Sequence, residues 1–387
     1  MKKRLIAHIG THKTGSTSIQ KALYESRAQL RAAGVLFPST DRGPRPSKHH
    51  SLNTAAKGRD AALADAEYKA LMDEFNASGC STMIVSAEGL SAPNPAVPEF
   101  FKRFADEFDI EVICYLRRQD LFVESLYNQM LRDPEAGEQR TIGQFWRDER
   151  ISARLNYHQT LINWRNIPAK VRALDFAREV KQHGLLNSFL QAAQLQGVGV
   201  LPEKMANKSP DMNLVLLLRD LHVAGIGHNH KRLIRAAKSL EEEAGYKLVK
   251  HTLGSVDRAL LLQQFQGINA DLRNDFGIDF STDMPAEPET ALERPQPGYV
   301  LKLLAAMAVR RDKRDDDDTD ADAALDPAQQ AAAEAEKQRM KEIRLQRRAD
   351  KTERRTEKNG QRSEKAERKA AKLNGQGKAA EDTAQAG

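Results

Sequence analysis

Residues 5–23, LIAHIGTHKTGSTSIQKAL, constrain the fold of this chain more than any other stretch. Leu5, Ile6, Ala7 and Ile9 read as a short apolar strand, and Gly10 and Gly15 bracket a turn holding Thr11, His12, Lys13 and Thr14. Ser16, Thr17 and Ser18 bring hydroxyls to a helix start whose apolar face is Ile19, Ala22 and Leu23. A strand–turn–helix of this kind aims several backbone N–H groups, and the positive end of the helix dipole, at one spot. A lysine and hydroxyls at the same spot make the turn an anion cradle, with phosphate or sulfate as its expected occupant. The common nucleotide loop GxxxxGK[ST] carries its lysine directly after the second glycine. Here Ser16 follows Gly15, and Lys13 lies two residues before that glycine, inside the turn. The ammonium therefore reaches a different part of the ligand. The turn by itself leaves a degenerate ATP loop open.

A second stretch, residues 112–129 (VICYLRRQDLFVESLYNQ), narrows the choice. Val112 to Leu116 form a nearly continuous apolar run, as in a strand covered on both faces. Arg117 and Arg118 end it, and a helical pattern starts near Asp120, with Leu121, Phe122, Ser125, Leu126 and Gln129 spaced by threes and fours. An arginine at a strand end and a serine two turns into the next helix can converge on one phosphate, the guanidinium binding bidentately. Nucleoside triphosphatases of the P-loop class end a neighbouring strand in a Mg²⁺-holding aspartate. The apolar strands here end in Ser86-Ala87-Glu88 and in Arg117-Arg118, so no metal site is expected.

The order Lys13-Thr14-Gly15-Ser16-Thr17, together with Arg117 and Ser125, resembles the PAPS-dependent sulfotransferases. In that family a K-x-G-[ST]-T loop holds the 5′-phosphosulfate of PAPS (3′-phosphoadenosine 5′-phosphosulfate), and an arginine–x7–serine pair holds its 3′-phosphate. The chain is most similar to a bacterial, carbohydrate-sulfotransferase-like branch, through His8 to Gln20, Ser86 to Ser91 and Tyr115 to Gln129. The likeness covers roughly residues 4–280. It implies a cofactor site of His12, Lys13, Thr14, Gly15, Ser16, Thr17, Arg117 and Ser125, with PAPS as donor, adenosine 3′,5′-bisphosphate as product and no metal required. It also implies a hydroxyl or amine acceptor, expected on a carbohydrate or polysaccharide. Lys13 is expected to neutralise charge on the leaving oxygen. A base is needed for the acceptor proton: Glu88 is the first candidate, and His49 and His50, in a loop beside the crevice, are its rivals. Tyr127, Asn128 and Gln129 are expected in the core or along the cofactor pocket. Asn207, Lys208 and Ser209 resemble a later polar motif of the branch.

Alternating strands and helices predict an α/β fold, a P-loop-like, doubly wound parallel sheet flanked by helices, with a helical C-terminal part and a charged tail. Strands are expected at 81–86 and 171–176. Helices are expected over 60–77 with a stop at Gly79, over 95–108 with Phe100, Phe101, Phe104 and Phe108 as a stripe, and from Thr141 to Asn166. Further helices are expected near 187–196, 211–224, 229–245 and 256–275. The domain reading is 1–280 for the catalytic-type domain, 281–309 for a Pro-rich connector and short helix, and 310–387 for the tail. Within the tail, one stretch concentrates positive charge. Residues 337–372 hold fifteen Lys and Arg against six Asp and Glu, an excess of nine, so a whole-chain net of +6 leaves −3 elsewhere. A basic isoelectric point is thus no sign that the folded part binds nucleic acid. The tail reads as solvated, with 327–372 able to form a solitary helix; any binding there would favour polyanions. The two cysteines, Cys80 and Cys114, are expected to be buried free thiols, which fits a reducing cytoplasm. No apolar run spans a membrane. Oligomeric state is not legible. Two other readings stay open: an ATP-dependent P-loop kinase, and a non-catalytic polyanion binder acting through the basic tail.

Overall fold

The strand expected at residues 5–9 is β1 (Lys3–Gly10), and it lies at the centre of a five-stranded sheet. The computed structural model describes residues 2–39, 49–133, 136–200, 211–226, 231–243, 246–283 and 292–317. The other strands are β2 (Val35–Leu36), β3 (Thr82–Ser86), β4 (Phe108–Leu116) and β5 (Ala169–Asp175). Their order is β2-β3-β1-β4-β5, and every neighbouring pair is parallel. Among the helices, α1 (Ser16–Glu25) and α2 (Arg27–Ala32) follow β1, α3 (His50–Ala55) and α4 (Ala61–Ser78) precede β3, and α5 (Ala96–Lys102) precedes β4. After β4 come α6 (Gln119–Arg132), α7 (Ile142–Trp146), α8 (Glu149–Ser152) and α9 (Tyr157–Arg165). After β5 come α10 (Phe176–His183), α11 (Leu185–Ala192), α12 (Met212–Val223), α13 (Lys231–Glu241), α14 (Ser255–Gln264), α15 (Gln266–Phe276) and α16 (Pro297–Asp317).

Side-chain alternation along the strands feeds two cores. Leu5, Ala7, Val112 and Cys114 face one side, with Leu71, Phe75, Phe101, Trp164 and Leu272 from α4, α5, α9 and α15. Ile6, Ile84, Ile113 and Tyr115 face the other, with Ile19, Leu23, Leu30 and Phe189 from α1, α2 and α11. Helices on both faces are what continuous apolar strands require. The expected doubly wound α/β sheet is therefore what the chain forms. A third cluster packs α6 and α7 against Leu253, Leu261 and Phe265. In a fourth, Tyr299 and Leu303 of α16 meet Leu214, Leu218 and Leu240.

Several helices begin and end where local chemistry dictates. The Asp60 carboxylate accepts from the Leu63 N–H and starts α4, and Gly79, at φ 70°, ends it in the left-handed conformation glycine favours. Thr141 and Gln144 form a reciprocal capping box at α7. Other boundaries differ from expectation. The helix expected over 95–108 stops at Lys102, because Phe108 opens β4 and stacks on Phe75 and Phe104 instead. The helix expected from Thr141 to Asn166 breaks into α7, α8 and α9, since Asp148 and Asn156 cap new helices with their side chains. The one expected over 256–275 divides at Phe265, which is buried in the third cluster.

Cys80 and Cys114 are free and buried, and burial pushes the Cys114 thiol well above its usual range. Among the described residues no helix is long and apolar enough to cross a membrane. The chain divides into one unit over Met1–Ala308 and a second from Val309. Residues 327–372, and Asn207, Lys208 and Ser209, lie outside the described residues.

Candidate functional site

In an open parallel sheet, ligands settle beyond the carboxyl ends of the strands, where the connections diverge to opposite sides. Here that point lies between β1 and β4. The chain leaves β1 through Gly10 at φ 97°, and a Cβ there would sit 3.1 Å from the Glu88 Cα. Only glycine lets the two strand ends approach so closely. The loop is tied down at its base: the Thr11 N–H and hydroxyl both donate to the Tyr115 carbonyl, at 2.8 and 3.1 Å. The Thr14 hydroxyl, fully buried, donates to the Thr11 carbonyl at 2.7 Å. Thr14 can therefore face a ligand only with its amide.

Lys13 adopts φ 66°, unusual for a residue with a side chain, and Gly15 follows at φ 74°. This left-handed pair rolls successive amides to one side, the arrangement of an anion nest. The N–H groups of Lys13 through Thr17 donate to no acceptor among the described residues. α1 has no side-chain cap at Gly15, so its positive end is open at the same place. Gly15 is also closely packed, since a Cβ there would run into the Leu185 side chain of α11.

Three groups surround the loop. The Ser16 hydroxyl donates to Glu88 Oε2 at 2.5 Å, and His12 Nδ1 lies 3.7 Å from Glu88 Oε1. Glu88 opens the 3-10 turn Glu88–Ser91 just beyond β3. Arg117, at the end of β4, donates to the Lys13 carbonyl at 3.2 Å. Sequence residues a hundred positions apart thus meet on adjacent strands. Burial pulls the Lys13 ammonium below its usual range. The Arg132 and Arg117 guanidiniums push it the same way, against the Glu88 carboxylate. Cations outnumber anions around the loop, a field that an anionic ligand would relieve.

Ser125 stands half-buried on α6, and its hydroxyl has no hydrogen-bond partner among the described residues. Arg132 lies seven residues on, two turns further along the same face of the helix. Thr17, at the start of α1, is exposed.

The first two turns of α6 are held by a buried charge network. Arg118 donates to both Asp120 oxygens at 2.8 and 2.9 Å. Arg258, fully buried, reaches Asp120 with one arm and Glu124 with the other, the latter at 3.1 Å. Glu124 also accepts from His251 Nδ1 at 2.8 Å and from the amides of Thr252 and Leu253. Burial alone would raise the Asp120 and Glu124 carboxyls. Bonds from Arg118 to Asp120 and from His251 to Glu124, with the Arg258 charge beside both, more than reverse this and hold both below the ordinary range. Arg118 further donates to the carbonyls of Ser281 and Asp283 at 2.6 and 2.7 Å.

His49 does not fit the base expected of it. It is wholly buried against Phe37, its Nδ1 accepts from the Ser86 N–H at 2.8 Å, and its Nε2 donates to the Pro38 carbonyl at 3.0 Å. Both ring nitrogens are taken up, Nδ1 joining the start of α3 to β3 and Nε2 joining it to the segment after β2. His50 is exposed at the start of α3. The Tyr127 hydroxyl donates to the Arg140 carbonyl, Asn128 is buried with its Oδ1 unbonded, and Gln129 is exposed.

A cleft of about 90 Å³ opens beside the loop, lined by Thr11, His12, Lys57, Gly89, Ser91, Phe122 and Arg154 among others. A larger cavity, about 460 Å³, runs along β4 and β5 and is lined by Glu111, Arg165, Lys170, Arg172 and Asp275. None of the expected site residues borders that larger cavity. Arg132, Lys57 and Arg154 were not singled out from the sequence, because nothing in their local pattern separates them from other surface cations. Among the described residues no three His, Cys, Asp or Glu side chains group to hold a metal.

No family model matches the chain, and no curated protein matches it. Among solved structures it is similar to a crystal structure of a sulfotransferase from Alicyclobacillus acidocaldarius. The identity is 14%, the match covers 58% of this chain and 95% of that one, and the TM-score is 0.37. A likeness of that extent carries no correspondence between residues.

Proposed function

We propose that this protein transfers a sulfuryl group from PAPS to an acceptor hydroxyl, on a carbohydrate or polysaccharide. The observation that carries the reading is the meeting of Lys13 and Arg117: a cationic anion nest at the end of β1, joined through the Lys13 carbonyl to an arginine at the end of β4. The residues present suit a ligand with two separate anionic groups. The amides of Lys13 to Thr17 and the open end of α1 suit a phosphosulfate, and Arg117 with the Ser125 hydroxyl suits a second phosphate. Arg132, on the Ser125 face of α6, adds charge there.

PAPS, when bound, supplies the activated sulfuryl group and a phosphate leaving group. The chain's own residues do the rest. The loop amides hold the phosphosulfate, and the Lys13 ammonium neutralises the charge that grows on the leaving oxygen. With donor and acceptor bound, Glu88 would take the proton that the acceptor hydroxyl gives up as it receives the sulfuryl group and the bisphosphate leaves. To do so Glu88 exchanges its Ser16 hydrogen bond for the acceptor hydroxyl. Preorganised charge of this kind is worth about a hundredfold or more in rate.

Calorimetric titration tests the reading, with adenosine 3′,5′-bisphosphate and, separately, Mg²⁺–ATP. The bisphosphate is expected to bind without metal. Arg117→Ala is expected to weaken it by about ten- to a hundredfold, as for a lost hydrogen bond to a charged group. Binding of Mg²⁺–ATP alone would make the loop a kinase loop and end the sulfotransferase reading.

A further inference from the structure

We infer that the cleft beside the loop is a subsite for an anionic group, a carboxylate or sulfate, carried by the acceptor. The inference rests on the sulfuryl-transfer reading for what that group is attached to, but the charge argument is independent of it. Lys57, just after α3, and Arg154, in the short turn before α9, come from distant parts of the chain to line one cleft with His12. Neither the Lys57 ammonium nor the Arg154 guanidinium has an ion-pair or hydrogen-bond partner among the described residues. No carboxylate lines the cleft, and the nearest described one in the site, Glu88, is engaged by Ser16 and His12. Two cations that line one concavity, unpaired among the described residues, recognise an anion.

Size narrows the ligand. A volume of about 90 Å³ is about three waters' share of liquid. That leaves room for one carboxylate or sulfate with the atoms that bear it. Because Thr11, His12 and Gly89 belong both to this cleft and to the edge of the reacting site, a bound anion would place a neighbouring hydroxyl of the same molecule near Glu88. The acceptor chemistry that follows is a hydroxyl compound already bearing acid groups, such as a uronate-containing or partly sulfated oligosaccharide.

The test compares three oligosaccharides of one backbone: neutral, uronate-bearing, and sulfated. Each is titrated into the full chain with and without saturating adenosine 3′,5′-bisphosphate. The acidic forms are expected to bind at least tenfold more tightly than the neutral one. Which acidic form binds better tells carboxylate from sulfate. Lys57→Gln with Arg154→Gln is expected to erase that preference while leaving bisphosphate affinity unchanged, and Lys57→Arg is expected to keep it. Equal binding of acidic and neutral forms overturns the inference. So does a preference that survives the double substitution, which would place the recognition elsewhere, as on the basic stretch 337–372. Loss of affinity for the bisphosphate itself would assign these two cations to the donor and also overturn it. If wild type fails to bind the bisphosphate, the sulfuryl-transfer reading falls, and the arm without it still decides the subsite.

Discussion

Lys13 serves no evident structural need. Its ammonium makes no ion pair among the described residues, its charge is disfavoured by burial and by two arginines, and its backbone sits in a conformation that costs a side-chain-bearing residue about 1 kcal/mol or more. Glycine would relieve that strain. Lys13→Gly is therefore expected to stay within about 1 kcal/mol of wild type in urea denaturation, while turnover falls about a hundredfold or more. Unchanged turnover would remove Lys13 from the mechanism. His8, one strand position behind the loop, presents a different case. It is fully buried with Nδ1 against the Ser86 hydroxyl at 2.7 Å and Nε2 unbonded. Burial lowers its pKa to about 4, opposed in part by Glu88. The unfolded chain takes up that proton first, near pH 6.5, so the stability His8 confers is full above about 6.5 and is lost as pH falls towards 4. The loss approaches about 3 kcal/mol. Denaturation midpoints from pH 7 to 4 should fall more steeply for wild type than for His8→Asn. Parallel curves would show that His8 accepts its proton in the folded state.

The helix that carries Ser125 and Arg132 owes its placement to groups that do no chemistry. Asp120 and Glu124 are buried carboxylates, and Arg258 is the cation they share. Taking away one member of such a set leaves a charge stranded, at a cost of about 3–5 kcal/mol. Arg258→Met is expected to lower stability by that amount in urea. Adding Glu124→Gln should recover part of it, and no recovery would mean the loss comes from packing alone. This network also marks where sequence reading stops. The sheet was legible because β1, β3 and β4 are continuous apolar runs. Both ends of α4 and the start of α7 were legible because Asp60, Gly79 and Thr141 act within a few residues of themselves. Arg117, Ser125 and the loop were legible because strand ends and helix starts put them at fixed offsets. Arg258 and His251, the distant partners of Asp120 and Glu124, were not, since they lie more than a hundred residues away with no local signal. His49 misled for the same reason: its role is fixed by the Ser86 amide across the sheet edge, which its own neighbours do not reveal.

Across the whole molecule, the elements around the loop depend on chain well past residue 280. Arg118 bonds to the carbonyls of Ser281 and Asp283, Arg219 donates to the Glu293 carbonyl, and Tyr299 and Leu303 are buried against α12 and α13. The likeness seen in the sequence ends near 280, but these contacts continue. Ending the chain after Ala308 is expected to leave thermal stability nearly unchanged. Ending it after Phe280 should cost several kcal/mol, since burying Tyr299 and Leu303 alone is worth about 1.5–3 kcal/mol each. Equal melting temperatures for the two truncations would show that residues 281–308 contribute nothing to the fold. Residues 1–309 hold 40 Lys and Arg against 36 Asp and Glu, a net of only +4, and Lys13, Arg117 and Arg132 crowd one sheet end, with Lys57 and Arg154 lining the cleft beside it. A small positive mouth on a nearly balanced body draws anions in from a distance of about one Debye length, roughly 8–10 Å in ordinary buffers. Added salt then slows the encounter before it loosens the grip, so the protein's speed of capture is set by the ions around it.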